Sequence, residues 1–358
     1  MTRVELKNIA YSYNGKINAV ENINLAFSKI GRYSLLGPSG CGKTTLLKII
    51  VGLLHPHQGK VFFDGQDMTD TSVEDRDIAM LFQFPVVYPM SVFENLMFPL
   101  QRKEISRKEK EKRVLQIAEL LEVKPMLNER ANKLSLADAQ TVALGRALIK
   151  GAGILLLDEP LSNVEPEKRL ALRVKIKRIQ EEEKKLYIYV THDQSEALTL
   201  SDEVAVMKDG KVVQFDHKEK IYDEPADLFV GYFIGSPGMN IFKGEFKDDR
   251  LDFGDFTLPA FTHLQKSLER HKKFKVGIRP EYLRISKEEK EGWIPFTCDE
   301  IEEKAGGVRL LYLRSKNNQN ETKALGSYFD ISAKDRLWVK FPDERVKIYD
   351  EEGKRIVT

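Results

Sequence analysis

Short runs alternating apolar with polar residues open the chain. Val4-Glu5-Leu6 and Ile23-Asn24-Leu25-Ala26-Phe27 read as half-buried strands, and residues 3–36 predict an antiparallel sheet. Ile154-Leu155-Leu156-Leu157 and Tyr187-Ile188-Tyr189-Val190 are nearly unbroken apolar runs, as in strands buried inside a parallel sheet, and Tyr33-Ser34-Leu35-Leu36 reads as a short buried strand. Residues 60–84 add Val61-Phe62-Phe63, a turn at Asp64-Gly65, and Ile78-Ala79-Met80-Leu81-Phe82-Gln83. The period becomes helical over 106–122, where Ser106 is the N-cap and Val114, Ile117, Ala118 and Leu121 share a face. A second helix is predicted over 136–149, with Val142, Leu144 and Leu148 apolar. Strands alternating with helices predict an α/β core.

The rhythm breaks at Gly235-Ser236-Pro237-Gly238, which sets a domain boundary: residues 1–235 and 236–358. Beyond it lie short strands (Phe242 to Phe246, Leu251 to Phe256, Phe274 to Ile278, Val308 to Arg314, Leu337 to Phe341, Val346 to Tyr349) with hairpin signals at Asp248-Asp249 and Gly306-Gly307. A small β-barrel of oligonucleotide/oligosaccharide-fold type fits them. The length of 358 residues agrees with two domains. A formal net charge of +2, with acids and bases interleaved, gives no footprint for nucleic acid. The 2 cysteines, Cys41 and Cys298, exclude a disulfide framework and suit a reducing compartment. No signal peptide is expected, and no apolar run is long enough to span a bilayer, so any membrane role needs a spanning partner.

Between the strand at 33–36 and a helical pattern that Gly52 ends lies Gly37-Pro38-Ser39-Gly40-Cys41-Gly42-Lys43-Thr44, which fits the phosphate-binding loop G-x-x-x-x-G-K-[ST]. Glycines let the backbone N–H groups of Ser39, Gly40, Cys41, Gly42, Lys43, Thr44 and Thr45 converge on phosphate oxygens, and the helix N-terminus adds its positive dipole end. Lys43 would reach the β- and γ-phosphates, and the Thr44 hydroxyl would hold Mg²⁺. Asp158 ends a buried strand where a Mg²⁺-holding aspartate is needed, and Glu159 follows as the carboxylate to polarise an attacking water. His192 ends the next strand, facing the same crevice, where it can hydrogen-bond the γ-phosphate. Gln83 can reach Mg²⁺ or the water, and Tyr13 can stack on adenine. Singly, His192 also fits a structural histidine and Tyr13 an edge-strand aromatic.

Together these stretches resemble an ATP-binding-cassette (ABC) ATPase, in that family's order: Walker A at 37–44, Q-loop at Gln83, signature at 134–138, Walker B with Asp158 and Glu159, D-loop at 161–165, and switch His192. Thr191-His192-Asp193-Gln194-Ser195-Glu196-Ala197-Leu198, Phe233-Ile234-Gly235-Ser236-Pro237 and Gly277-Ile278-Arg279-Pro280-Glu281 are similar to importer subunits of the maltose and glycerol-3-phosphate type. The resemblance implies an α/β P-loop NTPase cassette with a mixed-sheet core, an antiparallel subdomain and a helical subdomain, plus a C-terminal OB-like (TOBE) β-barrel regulatory domain. It implies ATP and Mg²⁺ as ligands and a position at the cytoplasmic face of the membrane. The implied partners are a second cassette, two membrane permease subunits and an outside substrate-binding protein. ATP would lie between one Walker A and the partner cassette's signature, so that Ser135 acts in trans.

The chain departs from the pattern at Leu134-Ser135-Leu136-Ala137-Asp138, where the family reads Leu-Ser-Gly-Gly-Gln. Leu136 and Ala137 add side chains where approach must be close, and Asp138 adds negative charge. Thr141 stands where arginine is usual, Glu165 ends the D-loop in place of aspartate, and Phe84 to Met90, in the region expected to dock the membrane subunit, is one residue short. The half that binds its own ATP is whole while the half offered to a partner is altered, which favours a heterodimer over a homodimer. A similarity to polyol importers in the stretch Gly231 to Asn240 points to glycerol or a related polyol. The alternatives are an ATP-binding regulatory subunit with little turnover and a non-transport ABC protein.

Overall fold

The computed structural model describes residues 4–259, 272–317, 319–327 and 330–356. The chain divides into two compact units, Met1–Lys218 and Glu219–Thr358.

In the first unit, β1 (Val4–Tyr11), β2 (Val20–Phe27), β4 (Gln58–Phe63) and β5 (Gln66–Asp67) form an antiparallel sheet in the order β2-β1-β4-β5. The expectation of one antiparallel sheet over 3–36 is corrected at β3 (Gly31–Leu36). That strand leaves this sheet and pairs in parallel with β8 (Leu186–Thr191) and β9 (Glu203–Lys208). The reason lies in its side chains. β2 buries alternate residues, whereas Tyr33 to Leu36 are buried in succession, as a central parallel strand requires. With β6 (Ile78–Leu81), β7 (Ile154–Asp158) and β10 (Lys211–His217), the second sheet runs β10-β9-β3-β8-β7-β6, all parallel except the edge strand β10.

Helix α1 (Lys43–Val51) lies in the core shared by the two sheets, burying Leu46, Leu47, Ile49 and Ile50 against residues such as Leu6, Ile23 and Ile188. Each such side chain contributes about 1.5–3 kcal/mol. Arg76, 3% exposed, donates to the carbonyls of Ile49, Ile50, Met68 and Thr71, so a cation seals the C-terminal end of α1. A second core gathers α2 (Val92–Met97), α3 (Arg107–Leu120) and α4 (Leu136–Ile149) against the other face of β7. Ser106 caps α3 by accepting the Glu109 N–H at 3.2 Å, and Ser91 closes a capping box with Glu94 on α2. Helix α5 (Pro166–Glu183) and α6 (Gln194–Leu200) complete the unit.

The second unit opens with α7 (Lys218–Asp223, its first residue the last of the first unit) and α8 (Leu228–Phe233). Arg279, 3% exposed, donates to the carbonyls of Tyr222, Gly231 and Ile234, and its guanidinium lies 3.9 Å from the Tyr222 ring centroid. This clamp ties residues 222–234 to the strand that precedes Arg279, so the compact unit begins well ahead of Gly235. Two five-stranded antiparallel sheets enclose a core rich in phenylalanine, including Phe242, Phe274, Phe296 and Phe341. The predicted turn at Asp248-Asp249 joins β11 (Asn240–Lys247) to β12 (Arg250–Asp252), with both residues at positive φ. The strand predicted over Leu251 to Phe256 is corrected to a hairpin. β12 stops at Asp252, whose carboxylate accepts the Gly254 N–H at 2.8 Å and reverses the chain into β13 (Thr257–Pro259).

Candidate active site

Four parallel strands end on one edge of the six-stranded sheet, and each carries a predicted residue just past its C-terminal end or at it: β3 the phosphate loop, β6 Gln83, β7 Asp158 and Glu159, β8 His192. Side chains remote in sequence therefore converge at one crevice, where open α/β sheets bind ligands.

The loop from Gly37 to Gly42 wraps onto α1. Gly42, the N-cap of α1, has φ +100, and a Cβ there would lie 2.4 Å from the Ala19 carbonyl oxygen, so only glycine fits. A Cβ at Gly40 would meet nothing within 4 Å, which marks the open side of the cradle. No side chain caps α1, so its first-turn N–H groups stay available to an anion. Lys43 folds back over the loop, its ammonium donating to the carbonyls of Gly37 at 2.7 Å and Pro38 at 2.8 Å. Cys41 is buried beside it, Sγ 3.7 Å from Lys43 Nζ; burial pushes its thiol pKa up, with the lysine charge pulling against that. Ser39 is exposed on the loop, and Thr45 Oγ1 meets the Tyr13 hydroxyl at 3.1 Å. Tyr13 itself is 61% exposed.

Thr44 Oγ1 donates to Asp158 Oδ1 at 3.1 Å. Asp158 is 1% exposed. Burial raises its carboxyl pKa, the Thr44 hydrogen bond opposes this, and the neighbouring Glu159 charge adds to it. Thr44 and Asp158 bring two oxygen donors together, the type a hard divalent cation takes, and the Gln83 amide oxygen could add a third. Among the described residues no cluster of three or more His, Cys, Asp or Glu could hold a metal, so the rest of such a shell would be phosphate and water.

Glu159 is the hub. Gln83 Nε2 donates to its Oε2 at 3.0 Å, and His192 Nδ1 lies 3.0 Å from its Oε1. The Glu159 side chain is 15% exposed and that of His192 60%. Glu159 has φ +47, held by its N–H to the Val190 carbonyl at 2.9 Å and by the Ser162 hydroxyl donating to its own carbonyl at 3.0 Å.

Several supporting residues escaped the sequence reading. Asn163 Nδ2 donates to the Gln83 carbonyl at 3.3 Å. Thr191 Oγ1 donates to the buried Glu196, and Arg173 spans Glu196 and Asp193, each at 3.4 Å. These bracket His192. Asn163 and Glu196 sat inside stretches already singled out, which was the only signal they offered.

Ser135 does not join this cluster within the chain. It is the N-cap of α4, accepting the Asp138 N–H at 3.2 Å and donating to Asp138 Oδ2 at 2.7 Å. Leu136 is exposed beside it. Elsewhere on the unit, a cleft of about 410 Å³ is lined by Phe82, Val86, Tyr88, Phe98 and Arg146. Arg146 donates to the Val86 carbonyl at 2.7 Å and lies 4.4 Å from the Tyr88 ring centroid. Among the described residues no helix is long and apolar enough to cross a membrane.

Comparisons with known proteins follow this layout. A family model described as ABC transporter matches residues 20–162, and one described as MalK OB fold domain matches residues 235–283. The chain is 34% identical over 361 residues to the oligosaccharides import ATP-binding protein MsmX of Bacillus subtilis, covering 98% of each. It is 34% identical over 359 residues to the sn-glycerol-3-phosphate import ATP-binding protein UgpC of Pectobacterium atrosepticum, covering 99% of each. Among solved structures it is similar to the dimeric post-hydrolysis state of the ATP-binding cassette MJ0796 bound to ADP and Pi. There the TM-score is 0.56 at 30% identity, over 60% of this chain and 98% of that one.

Proposed function

Since this chain belongs to the ABC transporter family, as an ATPase of its importers, we propose that Glu159 is the general base for hydrolysis of ATP bound at Gly37 to Thr45. The observation that carries this is the arrangement around its carboxylate. One oxygen faces the Gln83 amide and the other the His192 imidazole. Two partners hold a single rotamer aimed along the crevice, beside the phosphate loop. His192, the more exposed, is placed to orient the γ-phosphate and water. Lys43 is the mobile cation that leaves two carbonyls for phosphate oxygens, and Tyr13 stacks on the base. Thr44, Asp158 and Gln83 would hold Mg²⁺, which when bound neutralises charge developing between the β- and γ-phosphates. Because Nε2 of Gln83 is committed to an anion, its amide oxygen is the end left for a cation.

The Ser135–Asp138 pair bears on the partner. A signature serine must offer its hydroxyl, with the N–H groups of its helix, to phosphate on the facing cassette. Here the hydroxyl is spent on a carboxylate of its own first turn. A heterodimer follows, in which a second cassette with an unencumbered signature completes this chain's site. The assembly would include two membrane permeases and an outside substrate-binding protein, with this chain peripheral at the cytoplasmic face and the Phe82–Phe98 cleft receiving a permease. The cargo is a sugar or polyol, with glycerol or glycerol-3-phosphate supported by the resemblance to UgpC-type relatives. The second unit is the regulatory domain.

The test is Glu159→Gln in the assembled transporter. ATP turnover should fall at least about 100-fold, the scale of a lost general base, with ATP binding intact. Unchanged turnover would remove Glu159 from the role.

A further inference from the structure

Tyr13 does not stand alone. Its ring meets that of Tyr11 edge to face, 5.0 Å between centroids at 88°, and Tyr11 in turn stacks on His57 at 5.0 Å and 29°. Tyr11 is the last residue of β1 and partly buried against the core that holds α1, so its ring is fixed from the sheet side. The loop between is also tied down. Ser12 Oγ donates to the Ile17 carbonyl at 2.6 Å, Asn14 Oδ1 accepts the N–H groups of Lys16 at 3.0 Å and Ile17 at 3.2 Å, and the Ala19 N–H donates to the Tyr11 carbonyl at 2.8 Å. The Tyr13 hydroxyl reaches Thr45 on α1. An exposed aromatic on an exposed loop ordinarily samples several rotamers. This one is held at its edge by Tyr11 and at its tip by the helix that carries the phosphate loop.

We infer that Tyr11 is a positioning residue for the nucleotide base: it braces Tyr13 in the stacking orientation before ATP arrives. A platform formed in advance saves the ordering cost on binding, so the benefit appears as affinity for the base. The brace needs a ring and no hydroxyl. The inference rests on the assignment of Tyr13 to adenine, and the experiment separates the two.

The purified full chain is titrated calorimetrically, in EDTA, with ATP and separately with inorganic tripolyphosphate. Tyr11→Leu should weaken ATP about two- to tenfold, the range of an aromatic pair, and leave tripolyphosphate unchanged. Tyr11→Phe should match the wild type for both. Equal weakening of both ligands by Tyr11→Leu would make Tyr11 a structural residue and overturn the brace. So would Tyr11→Leu binding ATP normally while Tyr13→Ala does not. Normal ATP binding by Tyr13→Ala would instead overturn the stacking assignment beneath it.

Discussion

The Ser135 hydroxyl donates to the Asp138 carboxylate at 2.7 Å while accepting the Asp138 backbone N–H at 3.2 Å, a closed ring at the head of α4. The ring stabilises the helix as a cap and engages the hydroxyl that, on the proposed in-trans reading, would serve a facing cassette. Replacing Leu136→Gly, Ala137→Gly and Asp138→Gln together keeps a residue compatible with a capping box at that position. The triple variant, alone in solution, should hydrolyse ATP at least about tenfold faster than the wild type, with second-order dependence on its concentration. The two new glycines stand in the first turn, where the penalty is below the roughly 1 kcal/mol of a helix interior, so at most a slightly lower Tm is expected. Brisk wild-type turnover, unaltered in the variant, would show that the ring does not matter and that the homodimer works.

Gln83 contributes one charge-neutral donor to the Glu159 carboxylate. Gln83→Glu replaces that donor with a like charge 3.0 Å away in the wild-type geometry. Two ionised carboxylates at that spacing repel, so the pair takes up one proton more readily as pH falls, and the protonated partner then donates to Glu159 as the amide does. ATP turnover of the assembled transporter should drop about 100-fold and recover in part below neutral pH, with ATP affinity in EDTA unchanged. Turnover against pH, measured beside binding, checks this.

Asp158 is held buried with its carboxyl pKa raised. The sign follows from linkage: a folded-state carboxyl above its unfolded value binds the proton more tightly in the native state. Stability is therefore lost as pH rises from the ordinary carboxylate range through the raised value. Asp158→Asn removes that loss. In EDTA at pH 8 its Tm should equal or exceed the wild type's, the difference should vanish toward pH 4, and stabilisation by Mg²⁺ with ATP should disappear. A variant that melts lower at pH 8 would contradict the burial argument.

Arg76 donates to at least four main-chain carbonyls around the end of α1. Arg76→Met leaves buried acceptors unpaired, at about 1–3 kcal/mol each before relaxation. A loss of about 3 kcal/mol in urea unfolding is expected, with Arg76→Lys between. Equal stability of the Met variant would mean that water replaces the guanidinium.

Much of this was legible in the chain. Strand β7 and helices α3 and α4 appear where periodicity predicts them, since long patterned segments override local ambiguity. The phosphate loop, Asp158, Glu159 and His192 stand out in the chain because their motifs set residue types at strand ends, and the structure brings them to one edge of the sheet. β3 was assigned to the wrong sheet because an apolar run carries no label for its neighbours. The hairpin at Asp252 to Gly254 was read through as strand because its apolar flanks hid an Asx turn. Asn163, Ser162, Arg173 and Glu196 hold other residues rather than substrate, and nothing in their type distinguishes them from ordinary polar positions. The Ser135–Asp138 ring refines the sequence argument: Asp138 was expected to repel phosphate, and it also occupies the serine.

The strand order β3-β8-β7-β6 has a consequence for biogenesis. The phosphate loop, Gln83, Glu159 and His192 enter the chain at widely separated points, and only the parallel pairings of residues 31–36 with 186–191, and of those with 154–158 and 78–81, draw them together. Such pairings are non-local and form slowly. In the polypeptide emerging from the ribosome, the strand that carries the phosphate loop has neither of its neighbours, and the candidate site is not assembled until the strand ending at Thr191 has inserted between two earlier ones. A copy truncated before residue 186 lacks the strand whose pairings bring these residues together.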